Sequence, residues 1–499
     1  MAFLVALDQG TTSSRTLVFD DEGGVVATAQ EELPQHFPSP GLVEHDPGEI
    51  WATQERTIFS ALEKARLGPR DIAGVGITNQ RETTLLWERA TSRPVCRAIV
   101  WQDRRTAPLC RALEKKGHGD LFRERTGLLL DPYFSGTKLA WMLEHVPGAR
   151  ERARKGELAF GTVDSWLVSK LTGGALHTTD VTNASRTLLF DIRKGTWDDE
   201  LLAILDIPRE IVPEVRSSCE IYGEVTNPAP LRGVPIAGIA GDQQAALMGQ
   251  LCTSKGQAKC TYGTGCFLLL ALGNESPAAP KGILTTIAWQ RGTSPLQYAL
   301  EGSVFMGGAT IQWLRDGLGI LEKASDVEPL ARSVDSSAGV VLVPALTGLG
   351  APYWDPNARG TLIGLTRGTT RAHIARAALE GIAHQVVDLA EAMEAGAPIP
   401  LAELRVDGGA ARNDLLLQIQ ADLLGRPVVR PKNLETTALG AALLAGLATG
   451  VYGSIEDLRA TTAIEKTFEP QASEGARGAA RELWKRAVER SRDWTGEGA

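Results

Sequence analysis

At 499 residues the chain is too long for one ordinary core, and its length predicts two to four domains. With 43% hydrophobic and 22% charged residues it has the composition of a globular protein, and a net charge of −8 argues against broad binding to nucleic acid or an anionic membrane surface. Its six cysteines (96, 110, 219, 252, 260 and 266) form no CxxC pair, which disfavours zinc and fits unbridged thiols in a reducing cytoplasm.

The N-terminus "MAFLVALDQG" has no basic flank, so it reads as a strand rather than a signal peptide. "FLVALD" and "RTLVFDD" predict two strands around a polar turn, Gln9 to Ser14. Asp46-Pro47-Gly48-Glu49 predicts a helix start, with Asp46 as N-cap, Pro47 at N1 and Glu49 at N3, continuing through "IWATQERTIFSALEKAR". "DIAGVGITN" (71–79) reads as a buried strand ending in "QRETT", and "VCRAIVWQD" (95–103) as a second strand ending in Trp101, Gln102, Asp103 and Arg104. Polar groups at the ends of buried strands are where α/β proteins build sites.

The second half echoes the first. "GQAKCTYGTGCFLLLALG" (256–273) is again strand–turn–strand, and "LAELRVDGGAARND" (401–414) is again a strand entering a turn before the helix "LLLQIQADLLG". This order predicts an internal duplication with a boundary near 240–255. "ALGAALLAGLATG" (438–450) is too short for a membrane span and reads as a buried core helix. The charged segment 474–499 reads as a terminal helix with a frayed end.

No G-x-x-x-x-G-K-[ST] motif is present, so a P-loop is not indicated. Polyphosphate can instead be held by turn amides, hydroxyls and a Mg²⁺ ion. Asp8 is suited to the metal, directly or through its water shell. Gly10, Thr11, Thr12 and Ser13 offer donors, and Arg15 adds positive charge. Gly263-Thr264-Gly265 would be the opposing clamp. Either hairpin alone also reads as an ordinary turn; the pair, one in each half, favours phosphate.

Asp242, in "AGIAGDQQAALMG", has two readings. It is placed to cap a helix, and it is placed to accept a proton from a hydroxyl attacking phosphate. Arg81-Glu82 reads either as a surface ion pair or, beside Trp101, Tyr133 and Phe267, as part of a pocket for a small polyol. The seven histidines show no metal spacing, and His45, His373 and His384 read as structural.

Together these residues resemble the FGGY carbohydrate kinases over nearly the whole chain. The resemblance rests on "ALDQGTTSSR" (6–15), "GITNQRETT" (76–84), "VWQDRRT" (100–106), "YFSGTKLAWM" (133–142) and "GIAGDQQAAL" (238–247). In the second half it rests on "TYGTGCF" (261–267), "LTGLGAPYWDPNARG" (346–360), "GTLIGLTRGTTRAHIARAALEG" (360–381) and "DGGAARND" (407–414).

It implies an α/β fold of two actin-like, ribonuclease-H-like domains, 1–245 and 246–499, flanking a deep cleft. "NQRETT" beside "WQDRR" is most similar to members acting on glycerol, which implies phosphoryl transfer from Mg-ATP to glycerol in the cytoplasm by a dimer or tetramer. The resemblance implies Asp242 as general base and Asp8 as the metal-associated carboxylate. Arg81, Glu82, Tyr133, Asp242 and Gln243 would meet the substrate hydroxyls, and Trp101 and Phe267 its apolar sides. Thr11, Thr12, Ser13, Arg15 and Thr264 would contact ATP phosphates, with Gly307, Gly409 and Asn413 near the nucleotide. The basic loop through which some members bind fructose 1,6-bisphosphate, and the phosphorylatable histidine of others, have no counterpart in 216–235 beyond Arg232. Another small polyol or sugar is the alternative acceptor, and an actin-like ATPase acting on a protein partner is the alternative class.

Overall fold

The computed structural model describes residues 2–397 and 399–496. The first apolar runs become strands β1 (Phe3–Gln9) and β2 (Ser13–Phe19), antiparallel and joined by a turn in which the Gly10 N–H donates to the Ser13 carbonyl at 2.9 Å. Next to β2 lies β3 (Val25–Glu32), whose buried and exposed residues alternate, as expected for a half-covered edge strand. β4 (Ile72–Asn79), β5 (Cys219–Glu224) and β6 (Pro235–Gly241) complete a six-stranded sheet in the order β5-β6-β4-β1-β2-β3. β4 and β6 run parallel to β1, and β5 is antiparallel to β6. The inner strands are apolar almost throughout because both faces of the sheet are covered.

Helix α1 (Pro47–Ala65) covers one face. Asp46 caps it by accepting from the Gly48 N–H at 2.7 Å, with Pro47 in the first turn. Glu49 does not close a capping box; it pairs with His36 Nε2 at 3.0 Å instead. Helix α2 (Asp242–Gly249) leaves the end of β6.

The second sheet repeats the first plan. Its strands are β7 (Ala258–Tyr262), β8 (Cys266–Gly273), β9 (Leu284–Trp289), β10 (Gln297–Val304), β11 (Leu404–Asp407), β12 (Val428–Pro431) and β13 (Ile464–Phe468), in the order β9-β10-β8-β7-β11-β12-β13. β7, β8 and β10 form the antiparallel trio, β11 and β12 run parallel to β7, and β13 is the antiparallel edge. Only β9 is additional. The helices here are α3 (Gly308–Asp316), α4 (Arg371–Gly396), α5 (Asp414–Leu424), α6 (Thr436–Thr449) and α7 (Glu474–Ser491). Residues 497–499 of the expected terminal segment lie outside the described residues.

α2 and α6, each following the corresponding strand of its own sheet, cross between the two sheets. A Cβ on Gly249 would sit 2.0 Å from the Thr436 carbonyl oxygen, and one on Gly440 1.8 Å from that of Ala245. Gly76 meets the Ala441 carbonyl in the same way, at 2.1 Å. These contacts seat α6, a helix of the second half, on β1, β4 and β6 of the first sheet. There Leu439, Ala442 and Leu443 share a core with Leu4, Ala6, Leu17 and Phe19. The division expected at 245/246 thus falls inside α2.

The stretch 95–103 differs from expectation. Only Ala98–Ile99 is strand, paired with Glu44–His45, and the remainder is held by single bridges such as Val95 N–H to the Leu86 carbonyl at 3.1 Å. Ala98, Ile99 and Val100 are buried, while Val95, Cys96 and Trp101 are half-buried. All six cysteines are free, and no described helix is long and apolar enough to cross a membrane.

Candidate active site

The parallel strands β1, β4 and β6 end at one edge of the first sheet, which gathers Asp8, Arg81 and Asp242 there. The segment after β4 is pinned to the first hairpin by Gln80, whose N–H donates to the Gln9 carbonyl at 2.7 Å and whose side-chain amide donates to that of Gly10 at 3.1 Å. Glu82 follows with φ of +58°, a left-handed conformation costly for a residue with a side chain. Its carbonyl is held there by the Ser135 and Thr84 hydroxyls, both at 3.0 Å.

Asp242 is the first residue of α2 and does not cap it; Gly241 stands at the cap position, and Asp242 Oδ1 accepts from the next N–H, that of Gln243, at 2.8 Å. The backbone beneath is fixed by Thr182 Oγ1, which accepts from the Gly241 N–H at 2.9 Å and donates to Asp180 at 2.9 Å. The Asp242 side chain keeps 34% exposure, whereas Arg81 beside it keeps 2%. Burial in the cleft raises the Asp242 carboxyl above the ordinary aspartate range, opposed by Arg81 and Lys259.

Arg81 and Glu82 are not a surface ion pair. Both are buried, and each nitrogen of Arg81 has a partner. Nε faces Asp242 Oδ1 at 3.2 Å; Nη1 and Nη2 donate to the two carboxylate oxygens of Glu301 at 2.6 and 2.9 Å; Nη2 also reaches the Tyr133 hydroxyl at 3.4 Å. Tyr133 stands edge-on to Trp101 with ring centroids 5.6 Å apart, and Trp101 Nε1 donates to Thr11 Oγ1 at 2.9 Å. That bond links the expected acceptor pocket to the first hairpin. Gln243 is tied to the second sheet, because Lys259 Nζ donates to its Oε1 at 2.5 Å. Phe267 pairs in register with Thr261 and Ser303, on the face of the second sheet that carries Lys259 and Glu301.

At the first hairpin Thr12 is exposed at the tip, while Thr11 and Ser13 are half-buried. Arg15 is clasped between Asp8 (Nε at 3.1 Å) and Glu435 Oε2 at 2.5 Å, which immediately precedes α6. It bridges the two halves rather than standing free. The second hairpin mirrors the first: Gly263 N–H donates to the Gly265 carbonyl at 2.9 Å, leaving Thr264 exposed. The Gly307 and Gly308 amides donate to the carbonyls of Thr264 and Gly263, both at 2.8 Å, so the start of α3 braces this turn. Gly409 is exposed, with open space where a Cβ would be, and Asn413 caps α5 through the Leu416 N–H at 2.8 Å.

Two sequence profiles match the chain: the N-terminal domain of the FGGY family of carbohydrate kinases over residues 3–249, and the C-terminal domain of that family over residues 258–449. The chain belongs to the FGGY family of carbohydrate kinases. This FGGY chain is 59% identical to a glycerol kinase of Deinococcus radiodurans over 494 residues, covering 99% of this chain and 98% of that one. It is 62% identical to a glycerol kinase of Aromatoleum aromaticum, covering 99% of both. Among solved structures, Plasmodium falciparum glycerol kinase with ADP superimposes with a TM-score of 0.93 at 33% identity, covering 98% of both chains.

Among the described residues no group of three or more His, Cys, Asp or Glu is arranged to hold a metal. Asp8, whose Oδ2 accepts from Arg15, and Asp242 are the carboxylates at this strand edge, and a Mg²⁺ ion arriving on polyphosphate needs only one or two protein carboxylates. Three site residues escaped the sequence reading: Glu301, Arg186 and Lys259. Each is a lone charge inside an otherwise uncharged segment, "YALEGSV", "NASRTLLF" and "GQAKCTY", and that pattern was the available signal.

Proposed function

We propose that this FGGY kinase transfers the γ-phosphoryl group of ATP to a terminal hydroxyl of glycerol, giving sn-glycerol 3-phosphate and ADP. The observation that carries the reading is the convergence of Asp242, Arg81, Tyr133 and Trp101 beside the first hairpin. It is supported by full-length relatives described as glycerol kinases.

Asp242 takes the proton as the hydroxyl oxygen attacks phosphorus and the bond to the ADP oxygen breaks. Its half-buried carboxyl and raised pKa suit a base that must release the proton again. Arg81, Glu82, Tyr133, Asp242 and Gln243 orient the acceptor hydroxyls, with Trp101 and Phe267 along its carbon side. Thr11, Thr12, Ser13 and Thr264 hold the phosphates, assisted by Arg15. Gly307, Gly409 and Asn413 line the nucleotide side. Mg²⁺, held on the Asp8 side, would neutralise phosphate charge. Closure of the halves, 1–245 and 246–499, excludes water that would otherwise turn the site into an ATPase. We also propose a cytoplasmic homo-oligomer.

The test is ADP release by purified protein with and without glycerol. The expected result is turnover that depends on glycerol. Turnover indifferent to glycerol would instead favour an ATPase acting on a protein partner.

A further inference from the structure

The cluster behind Arg81 holds two residues that the reaction scheme does not use. Glu301, on β10 of the second sheet, is fully buried, and its hydrogen-bond partners are two arginines. It accepts both terminal nitrogens of Arg81 and, at 2.8 Å, Nη2 of Arg186. Arg186 is also fully buried; its Nε donates to Glu82 Oε1 at 2.7 Å, and its guanidinium lies 5.3 Å from the Phe134 ring centroid and 5.9 Å from that of Tyr133. With Arg81 Nε 3.7 Å from Glu82 Oε1, two arginines and two carboxylates alternate in a closed ring. Burial alone would raise the Glu301 carboxyl, but Arg186 and Arg81 outweigh it and hold the group at about 2, ionised at any working pH.

A strand interior that needed only packing would carry an apolar residue at 301, because a buried charge is costly unless fully paired. The bidentate fork instead fixes the plane of the Arg81 guanidinium, and with it the direction of Nε toward Asp242 and of Nη2 toward Tyr133. Arg186 holds Glu82 Oε1 through Nε and Glu301 through Nη2, bracing Glu82, whose backbone is already held in the left-handed region.

We propose that Glu301 and Arg186 are positioning residues that set the acceptor pocket, Glu301 doing so from the second domain. Recognition by Arg81 and Glu82 in the first domain thereby depends on a strand of the other. This rests on the reading of Arg81 and Glu82 as acceptor-binding residues.

The test measures KM for glycerol and KM for ATP in Glu301→Gln, which keeps the shape and removes the charge, and in Arg186→Lys, which keeps the charge and removes the fork. Loss of one charge-assisted fork is expected to raise the glycerol KM about 10-fold or more, with the ATP KM within about twofold. Glu301→Asp should recover part of the loss. A role in folding alone would lower yield or kcat and leave both KM values unchanged, and that result overturns the proposal. If Glu301→Gln does not fold, the split in Arg186→Lys decides. Failure of the glycerol reading would show in the wild-type protein, as turnover independent of glycerol. The same KM split is then measured for whichever polyol the wild type phosphorylates. Failure of the present inference shows only in the variants.

Discussion

As the proposed base Asp242 must be ionised to accept a proton, and burial raises its pKa while Arg81 and Lys259 hold it down. A base with a raised pKa loses activity as pH falls through that value, so kcat/KM should decline on the acid side at a pH above the ordinary aspartate range. Asp242→Asn should lower kcat by at least ~10²-fold and abolish that acid limb, with melting temperature unchanged. Near-normal turnover in a folded variant would remove Asp242 from the role of base. A second buried carboxyl bears on stability. Asp164, buried near Asp180, is raised to about 7, first by burial and then by that neighbour's charge. The folded-state value lies above the unfolded one, so stability is fullest below the unfolded pKa and is lost as pH rises through about 7. Asp164→Asn should therefore flatten the decline in melting temperature between about pH 4 and about 7; an unchanged slope would refute this. Much at this scale was legible in the sequence. Asp8, Arg81, Trp101 and Asp242 stand at the ends of apolar runs, where their side chains have no packing task. Glu301, Arg186 and Lys259 were not, because their meaning lies in partners 16 to 220 positions away along the chain.

Among the elements, the hairpins and the helix start at Asp46 followed from local chemistry, and the structure places them as expected. The run 95–103 did not become a full strand. Alternation and apolarity report burial, and burial under a loop or helix reads the same as burial in a sheet. The crossing of α2 and α6 was also hidden: "ALGAALLAGLATG" shows a buried helix but not what buries it. Gly440 is required by the close approach to Ala245, and Gly446 packs against Tyr452 and Leu4. Gly440→Ala would force the helices apart, with an expected cost of about 1–3 kcal/mol in chemical denaturation. Because Asp242 begins α2, kcat should fall as well. Unaltered stability would mean that the two helices separate without cost.

Over the whole molecule, duplication is the plainest message of both sequence and structure. Two sheets of one plan place two hairpins, "DQGTTSS" and "YGTGC", on opposite halves, and a charge ring through Glu301 spans the seam between them. In the proposed reading, no single half supplies the choice of acceptor, which depends on Arg81 and Glu82 being held by both. The most direct measurement is therefore identification of the phosphorylated product when ATP is offered with glycerol, erythritol, xylulose or dihydroxyacetone. The account predicts sn-glycerol 3-phosphate formed one-for-one with ADP, with glycerol giving the highest kcat/KM of the four. A higher kcat/KM for any of the other three, or ADP release with no phosphorylated polyol, would contradict it.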